Sequence, residues 1–150
     1  MTPESQLEAH LYRQIPLTRA MGITVSRVTC DVVELAAPIE PNINHRRTVF
    51  GGSASAAATL AAWGILWARL ADHPKRPEII IQSNSMEYLR PIEGAFTAKS
   101  LPIDEDDWRR FQAGIDRKGR ARIEVESALE FDGETCGRFR GTFVALADGC

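Results

Sequence analysis

The sequence predicts an α+β fold in which an antiparallel β-sheet wraps around one long central helix. Two observations predict it: residues 51–68 form an uncharged, alanine-rich segment, and strand-like runs lie on both sides of that segment. The segment predicts a helix at about 53–70, with Ser53 as its N-cap. A helix that is apolar on all sides is normally buried, and this one would be close to 30 Å long at ~1.5 Å per residue. A curved sheet is therefore expected to surround it.

The remaining elements complete a single predicted domain over residues 1–150. Thr2 and Pro3 are typical of a helix start, and a short amphipathic helix is expected at 3–14. The predicted strands lie at 22–28, 32–39, 78–89, 95–101, 120–131 and 135–147, with a short helix at 104–116. Asp132-Gly133 is a strong signal for a hairpin between the last two strands.

Composition excludes several classes of protein. The net charge is −2 and no long basic run is present, which argues against nucleic-acid binding. The three cysteines are odd in number, widely separated and without metal-ligand spacing, which predicts a reducing, cytoplasmic environment and no metal or cofactor. The uncharged segment has few large aliphatic residues and no interfacial anchors, so we expect no membrane span.

A polar loop leads into two glycines at the start of the predicted central helix. Asn44 and His45 lie in the loop, and Gly51 and Gly52 precede Ser53. The first amides of a helix have no partners within the helix and carry the positive end of its dipole. Glycines let a ligand approach them, so a developing oxyanion would be stabilised there. The alternative, which the sequence leaves open, is a tight turn before an N-capping serine.

The same stretch resembles the motif of hotdog-fold thioesterases, in which an Asn lies six residues before a His-Gly-Gly at the start of the central helix. Asn44 takes the Asn position, and Gly51-Gly52 take the two glycine positions. With the segments 60–64 and 118–122, the sequence is most similar to the thioesterase domain at the C-terminus of YiiD-type proteins, over residues 17–146. This resemblance implies a hotdog fold and hydrolysis of an acyl-CoA or acyl-carrier-protein thioester. It also implies a bacterial homodimer, or a dimer of such dimers, with each site built across the interface.

Two positions depart from the pattern. Phe50 replaces the histidine of the motif, and Thr59 stands where related enzymes carry a carboxylate on the helix. Neither side chain can act as a base near neutral pH. His45 is the best substitute as proton acceptor, because its unperturbed pKa lies near ~6.5. The alternative is a loop histidine that faces solvent.

The resemblance also implies roles for the other candidates. Asn44 would orient the thioester or a water molecule, and the amides of Gly52 and Ser53 would hold the oxyanion, with Thr59 further along the helix. The residues expected to contact the substrate are Phe50, Gly51, Trp63, Ser83 and Asn84. Trp63 either shortens the acyl tunnel or belongs to the core. The polar run at 82–85 either faces the site or is the wet outer face of an edge strand.

Two other functions are open at this point. A non-catalytic protein that binds an acyl-CoA or another acyl ligand is the main alternative, because the central helix carries no carboxylate. A dehydratase of the same fold is a third class, but its Gly-His-Phe-Pro loop and its helix acid are both missing from the sequence.

Overall fold

A six-stranded antiparallel sheet and one long helix make up most of the structure, a computed structural model that describes residues 1–147. The helices are α1 (Pro3–Gln14), α2 (Pro16–Ala20), α3 (Gly51–Leu70) and α4 (Glu105–Lys118), with a 3-10 turn at Glu40–Asn42. The strands are β1 (Thr24–Val28), β2 (Val33–Ala37), β3 (Glu78–Tyr88), β4 (Phe96–Ser100), β5 (Arg120–Phe131) and β6 (Glu134–Leu146). Their order in the sheet is β1-β2-β4-β5-β6-β3. The helix α3 packs against strands β2 to β6, so the predicted fold class is confirmed.

The hairpin between β5 and β6 forms where the sequence predicts it. Asp132 and Gly133 both have positive φ angles, 54° and 77°, as a two-residue hairpin turn of the favoured hand requires. The inward-facing residues of β5, including Ile123 and Val125, are buried, whereas their neighbours Glu124 and Glu126 are exposed. Alternation with a period of two therefore identified both the strand and its buried face.

The start of α3 differs from the prediction. The helix begins at Gly51 with Phe50 at the N-cap position, and no side chain caps it. Ser53 lies within the first turn, so the expectation that it is the N-cap was wrong. Glycine costs about 1 kcal/mol in a helix relative to alanine, which is why the sequence pattern placed the start after the two glycines. Burial of the rest of α3 outweighs that cost.

One side of α3 is not covered by this chain. The open stripe, as we call it, consists of Gly52, Ser55, Ala56, Thr59, Trp63 and Trp67, which are all exposed or half-buried. The expectation of burial on all sides was wrong along this stripe, because β3 is the last strand of the sheet and no strand lies beyond it within residues 1–147. The opposite side of α3 is buried, with Ala58, Ile65 and Leu66 fully inaccessible to solvent.

The other edge of the sheet, β1, is covered by α1. Leu7 and Leu11 of α1 are fully buried, as the amphipathic pattern predicts. The Glu8 carboxylate accepts a hydrogen bond from the Val25 amide at 2.9 Å. The Glu4 carboxylate likewise accepts one from the Val28 amide, at 2.8 Å. Two carboxylates thus replace a neighbouring strand as partners for the amides of β1.

Helix α4 packs near the C-terminal end of α3. Asp104 caps it by accepting hydrogen bonds from the amides of Asp106 and Asp107. The guanidinium of Arg69, in the last turn of α3, lies 4.9 Å from the ring centre of Trp108 in α4. None of the helices described between residues 1 and 147 has the length and hydropathy of a transmembrane span.

Candidate active site at the start of the central helix

Asn42 anchors the loop that leads into α3. Its side chain is buried, with 2 % exposed, and its Nδ2 donates to the carbonyls of Met21 (2.9 Å) and Pro38 (2.7 Å). Its own backbone carbonyl accepts a hydrogen bond from the Phe50 amide at 2.7 Å. Asn42 therefore fixes the direction in which the chain enters the helix. Sequence reasoning missed this residue because its buried partner, the Met21 carbonyl, lies in a different segment of the chain.

Asn44 holds the loop together. Its Oδ1 accepts hydrogen bonds from the amides of Arg46 (2.8 Å) and Thr48 (3.1 Å), and its Nδ2 donates to the Thr48 hydroxyl at 2.9 Å. Such bonds are typical of Asn in turns. The carboxamide oxygen is thus already occupied by the loop, so the structure gives Asn44 a positioning role before any role toward a substrate.

His45 lies in the turn between Asn44 and Arg47 and is exposed to solvent. Its ring has no hydrogen-bond partner among residues 1–147, so no neighbouring group orients it. A general base must reach the proton that it removes, either directly or through one water molecule. The role of His45 as proton acceptor stays a prediction.

The first turn of α3 presents free amide groups. The earliest backbone bond of the helix runs from the Ala54 amide to the Phe50 carbonyl, at 3.0 Å. The amides of Gly51, Gly52 and Ser53 have no acceptor in the described part of the chain, and no side chain caps them. We call these three residues the glycine tip. It combines uncapped N–H groups with the positive end of the dipole of a 20-residue helix.

Two exposed aromatic side chains border the glycine tip. Tyr88 is 60 % exposed, and its hydroxyl lies 3.3 Å from the Gly51 carbonyl oxygen. Phe50 is 57 % exposed, and its ring lies where a side chain at Gly52 would be, because a Cβ there would come within 2.3 Å of the ring. Glycine is therefore required at position 52 as long as Phe50 keeps this position. Tyr88 was not among the residues expected at the site, and only the pairing of β3 could have identified it.

The pairing of β3 with β6 separates the two polar candidates on this strand. Asn84 is opposite Gly141, which is buried, so Asn84 lies on the face that looks toward α3. Ser83 is opposite Thr142 and lies on the outer face, because a β-bulge between Ile81 and Ser83 shifts the register. We therefore withdraw Ser83 as a substrate contact. Asn84 lies on the same face as Tyr88, about 13 Å from it along the strand.

Thr59 and Trp63 follow the glycine tip along the open stripe. The Thr59 hydroxyl donates to the Ser55 carbonyl at 2.8 Å, so its proton is used within the helix. Thr59 lies about 10 Å and Trp63 about 16 Å from Gly52 along the helix axis. Trp63 donates from Nε1 to the Ile79 carbonyl at 3.1 Å. Neither side chain therefore reaches a carbonyl bound at the tip.

A cavity of about 750 Å³ lies at the other end of α3, and Trp63 belongs to its wall. The His10 ring stacks on Trp63, with ring centres 5.8 Å apart and planes 12° from parallel. It also contacts Trp67, at 5.6 Å and 38°. Burial, with a further contribution from the nearby Arg13 charge, lowers the pKa of His10 below its usual value. We call this space the tryptophan cavity.

A six-stranded antiparallel sheet wrapped around one long central helix is the hotdog arrangement. The chain belongs to the family described as "Putative thioesterase (yiiD_Cterm)", whose profile matches residues 4–147. A protein of unknown function from Chlorobaculum tepidum is 28 % identical, with a TM-score of 0.91 over 97 % of this chain and 94 % of that one. A "putative thioesterase" from Shewanella oneidensis is 26 % identical, with a TM-score of 0.86 over 96 % and 97 %.

A more distant structure shows the same fold. A thioesterase from Haemophilus influenzae is 17 % identical, with a TM-score of 0.75 over 98 % of this chain and 92 % of that one. The fold is thus retained where most of the sequence has changed.

Proposed function

We propose that the protein hydrolyses an acyl thioester of coenzyme A or of an acyl carrier protein at the glycine tip. The observation that carries this proposal is the set of free amides at Gly51, Gly52 and Ser53, at an accessible helix start. Membership of the thioesterase family gives the class of reaction. The free thiols of Cys30 and Cys136 agree with a reducing, cytoplasmic environment.

In this mechanism the thioester carbonyl oxygen accepts hydrogen bonds from the amides of Gly52 and Ser53. Attack by water turns that oxygen into an oxyanion, which the same amides and the helix dipole stabilise. The water oxygen bonds to the carbonyl carbon, the C–S bond breaks with its electron pair going to sulfur, and the water proton reaches the thiolate. His45 is the proposed carrier of that proton, and it would act through a bridging water molecule. The products are a carboxylic acid and a free thiol.

We further propose that the active form is a homodimer in which two β3 strands pair. The edge strand β3 contacts α3 near both of its ends, because the Tyr88 hydroxyl lies at the Gly51 carbonyl and Trp63 of the open stripe donates to the Ile79 carbonyl. The rings of Phe50 and Tyr88 are exposed. A second copy that adds its own β3 in antiparallel orientation would satisfy the unpaired edge and cover the stripe. The glycine tip would then lie at the boundary between the two protomers.

An assay of thiol release from acyl-CoAs of graded chain length tests the hydrolysis. His45→Ala is expected to lower kcat by about 10²–10⁴, the usual range for loss of general acid–base catalysis, with KM little changed. Arg46→Ala is the matched control, because Arg46 is an exposed neighbour in the same turn whose backbone bond to Asn44 is kept.

The outcomes separate the two candidate functions. Equal kcat values for the two variants and the wild type would remove His45 from the mechanism. No thiol release from any acyl-CoA, together with measurable acyl-CoA binding, would overturn hydrolysis in favour of a non-catalytic acyl-ligand binding protein. The lack of any carboxylate between Gly51 and Leu70 is the observation that favours this second function.

A further inference from the structure

The position of the glycine tip depends on Phe50, the residue just before it. The Phe50 carbonyl accepts the first backbone hydrogen bond of α3, from the Ala54 amide at 3.0 Å, and no side chain caps the helix. The Phe50 ring is 57 % exposed, so packing of this side chain contributes little to holding the residue. The contact that holds Phe50 directly is made by its own amide, which donates to the Asn42 carbonyl at 2.7 Å. Asn42 therefore supports the residue from which the three free amides follow.

Asn42 is in turn anchored in the interior by its side chain. This side chain is 2 % exposed, and Nδ2 uses both of its protons, one on the Met21 carbonyl and one on the Pro38 carbonyl. Met21 follows α2 and Pro38 follows β2, so the carboxamide ties the ends of two separate elements to the start of α3. The Asn42 Oδ1 is buried and makes no hydrogen bond within residues 1–147. All hydrogen bonding of this side chain therefore comes from its two N–H groups.

The placement of the tip amides decides how well they act on an oxyanion. A preorganised donor is effective at about 2.7–3.1 Å from the position of the oxyanion, and a displacement of about 1 Å can lower turnover about 10²-fold. Without the Nδ2 donor, two buried carbonyls lose their partner, which is unfavourable unless the loop moves. Any such movement carries the Asn42 carbonyl with it, and with that carbonyl the Phe50 amide.

We propose that Asn42 is a positioning residue for the reaction at the glycine tip. The inference rests on the proposed hydrolysis and extends it, because Asn42 contacts neither substrate nor water and acts through the Phe50 amide. The motif residue Asn44 has a different part in the loop. The side chain of Asn44 bonds only to Arg46 and Thr48 in its own turn. Asn42, and not Asn44, thus connects the loop to the interior through a side chain.

Two substitutions at position 42 test the proposal. Asn42→Asp keeps the shape of the side chain and removes its N–H donors, and Asn42→Leu keeps the branching and removes every polar atom. Each should lower kcat for thiol release from acyl-CoA about 10²-fold with KM little changed, because the tip amides act mainly on the transition state. In amide NMR spectra of the same proteins, the resonances of the glycine tip should shift, whereas those of β5 should not.

A second pair of variants breaks the backbone link between Phe50 and Asn42. Proline at position 50 has no N–H to donate to the Asn42 carbonyl, and the φ of Phe50, −58°, is one that proline adopts. Phe50→Ala is its reference, because it also lacks the ring but keeps the amide. We expect kcat of Phe50→Pro to be about tenfold or more below that of Phe50→Ala, with KM similar in the two. This pair decides the question if the Asn42 variants do not fold by circular dichroism.

Ser100→Ala is the control for a general loss of stability. Ser100 is also 2 % exposed, and its hydroxyl oxygen accepts a hydrogen bond from the Val33 amide at 2.9 Å, between β2 and β4. The substitution removes a buried hydrogen bond that has no link to the loop before α3. It should leave both kcat and the resonances of the glycine tip unchanged.

Two results from an active wild type would overturn the inference. One is an unchanged kcat in the folded Asn42 variants together with equal kcat values for Phe50→Pro and Phe50→Ala. The other is a loss of kcat in Ser100→Ala as large as that in the Asn42 variants. If the wild type releases no thiol from any acyl-CoA, the proposed hydrolysis is wrong, and the NMR spectra still test the positioning. Shifts confined to the loop and the glycine tip then support it, and unshifted tip resonances contradict it.

Discussion

Removing the carboxylates of Glu4 and Glu8 should weaken the docking of α1 on the edge of the sheet. The two residues are one turn apart on α1, and they accept hydrogen bonds from the amides of Val28 and Val25. Alanine at both positions leaves these two amides of the edge strand β1 without an acceptor from the helix. Leu7 and Leu11 keep their buried positions, so the variant isolates the polar contribution to docking.

The expected loss of unfolding free energy follows from the two hydrogen bonds. Hydrogen bonds to charged groups contribute about 1.5–3 kcal/mol each, and the lower end applies because both contacts are only partly buried. The double variant should therefore lose about 3 kcal/mol of unfolding free energy. For a chain of this size, 1 kcal/mol corresponds to about 2–4 °C, so Tm should fall by about 6–12 °C. The losses of unfolding free energy in the two single variants should sum to the loss in the double variant, because the two carboxylates share no partner.

Differential scanning calorimetry gives the Tm, and amide hydrogen exchange gives the local effect. Exchange should accelerate at Val25 and Val28 more than elsewhere in the sheet. Glu93→Ala is the control, since Glu93 is exposed. Glu4→Gln and Glu8→Gln keep an acceptor oxygen and should lose less stability than the alanine variants. A double variant within about 2 °C of the wild type, with slow exchange at both amides, would refute the reasoning.

Two further predictions concern His10 and the dimer. Because folding lowers the pKa of His10 below its usual 6.5, the unfolded chain binds that proton more readily, and stability is lost as the pH falls below about 6.5. The Tm of His10→Leu should thus fall less between pH 7 and pH 5 than that of the wild type. An equal fall in Tm for the two proteins would contradict this. Asn84→Lys puts like charges into the proposed β3 interface and should shift the protein toward monomer in light scattering, whereas Thr24→Lys on the other sheet edge should not. If Asn84→Lys keeps the molar mass of the wild type in light scattering, the proposed β3 interface is wrong.

The sequence predicted those features that depend on near neighbours in the chain. The alternation in 120–131, the Asp132-Gly133 turn and the amphipathic face of α1 each follow from backbone periodicity or turn chemistry. Each is therefore visible in a short window of residues. The resemblance to hotdog-fold thioesterases then identified the arrangement of these elements.

The features that the sequence could not supply all depend on contacts between distant segments. Asn42 and Asn44 are the same residue type two positions apart, yet one is buried against the distant Met21 and the other closes its own loop. Ser83 was misplaced because a single bulge reverses the face of every later residue in β3. Periodicity alone does not show where a bulge falls.

The chemistry at the glycine tip has to work without a carboxylate on the helix. In a water-excluded site, a single preorganised oxyanion donor is worth about 10²–10³ in kcat, and a positioned general base about 10²–10⁴. Here the donors are built in, because the helix start leaves three amides free. The proposed base, His45, sits on an exposed turn, and its ring has no hydrogen-bond partner within residues 1–147. In the proposed dimer the partner would exclude water from the tip, which strengthens the amide contribution. Dimer formation should therefore matter more for this protein than for a relative with an acid on its helix.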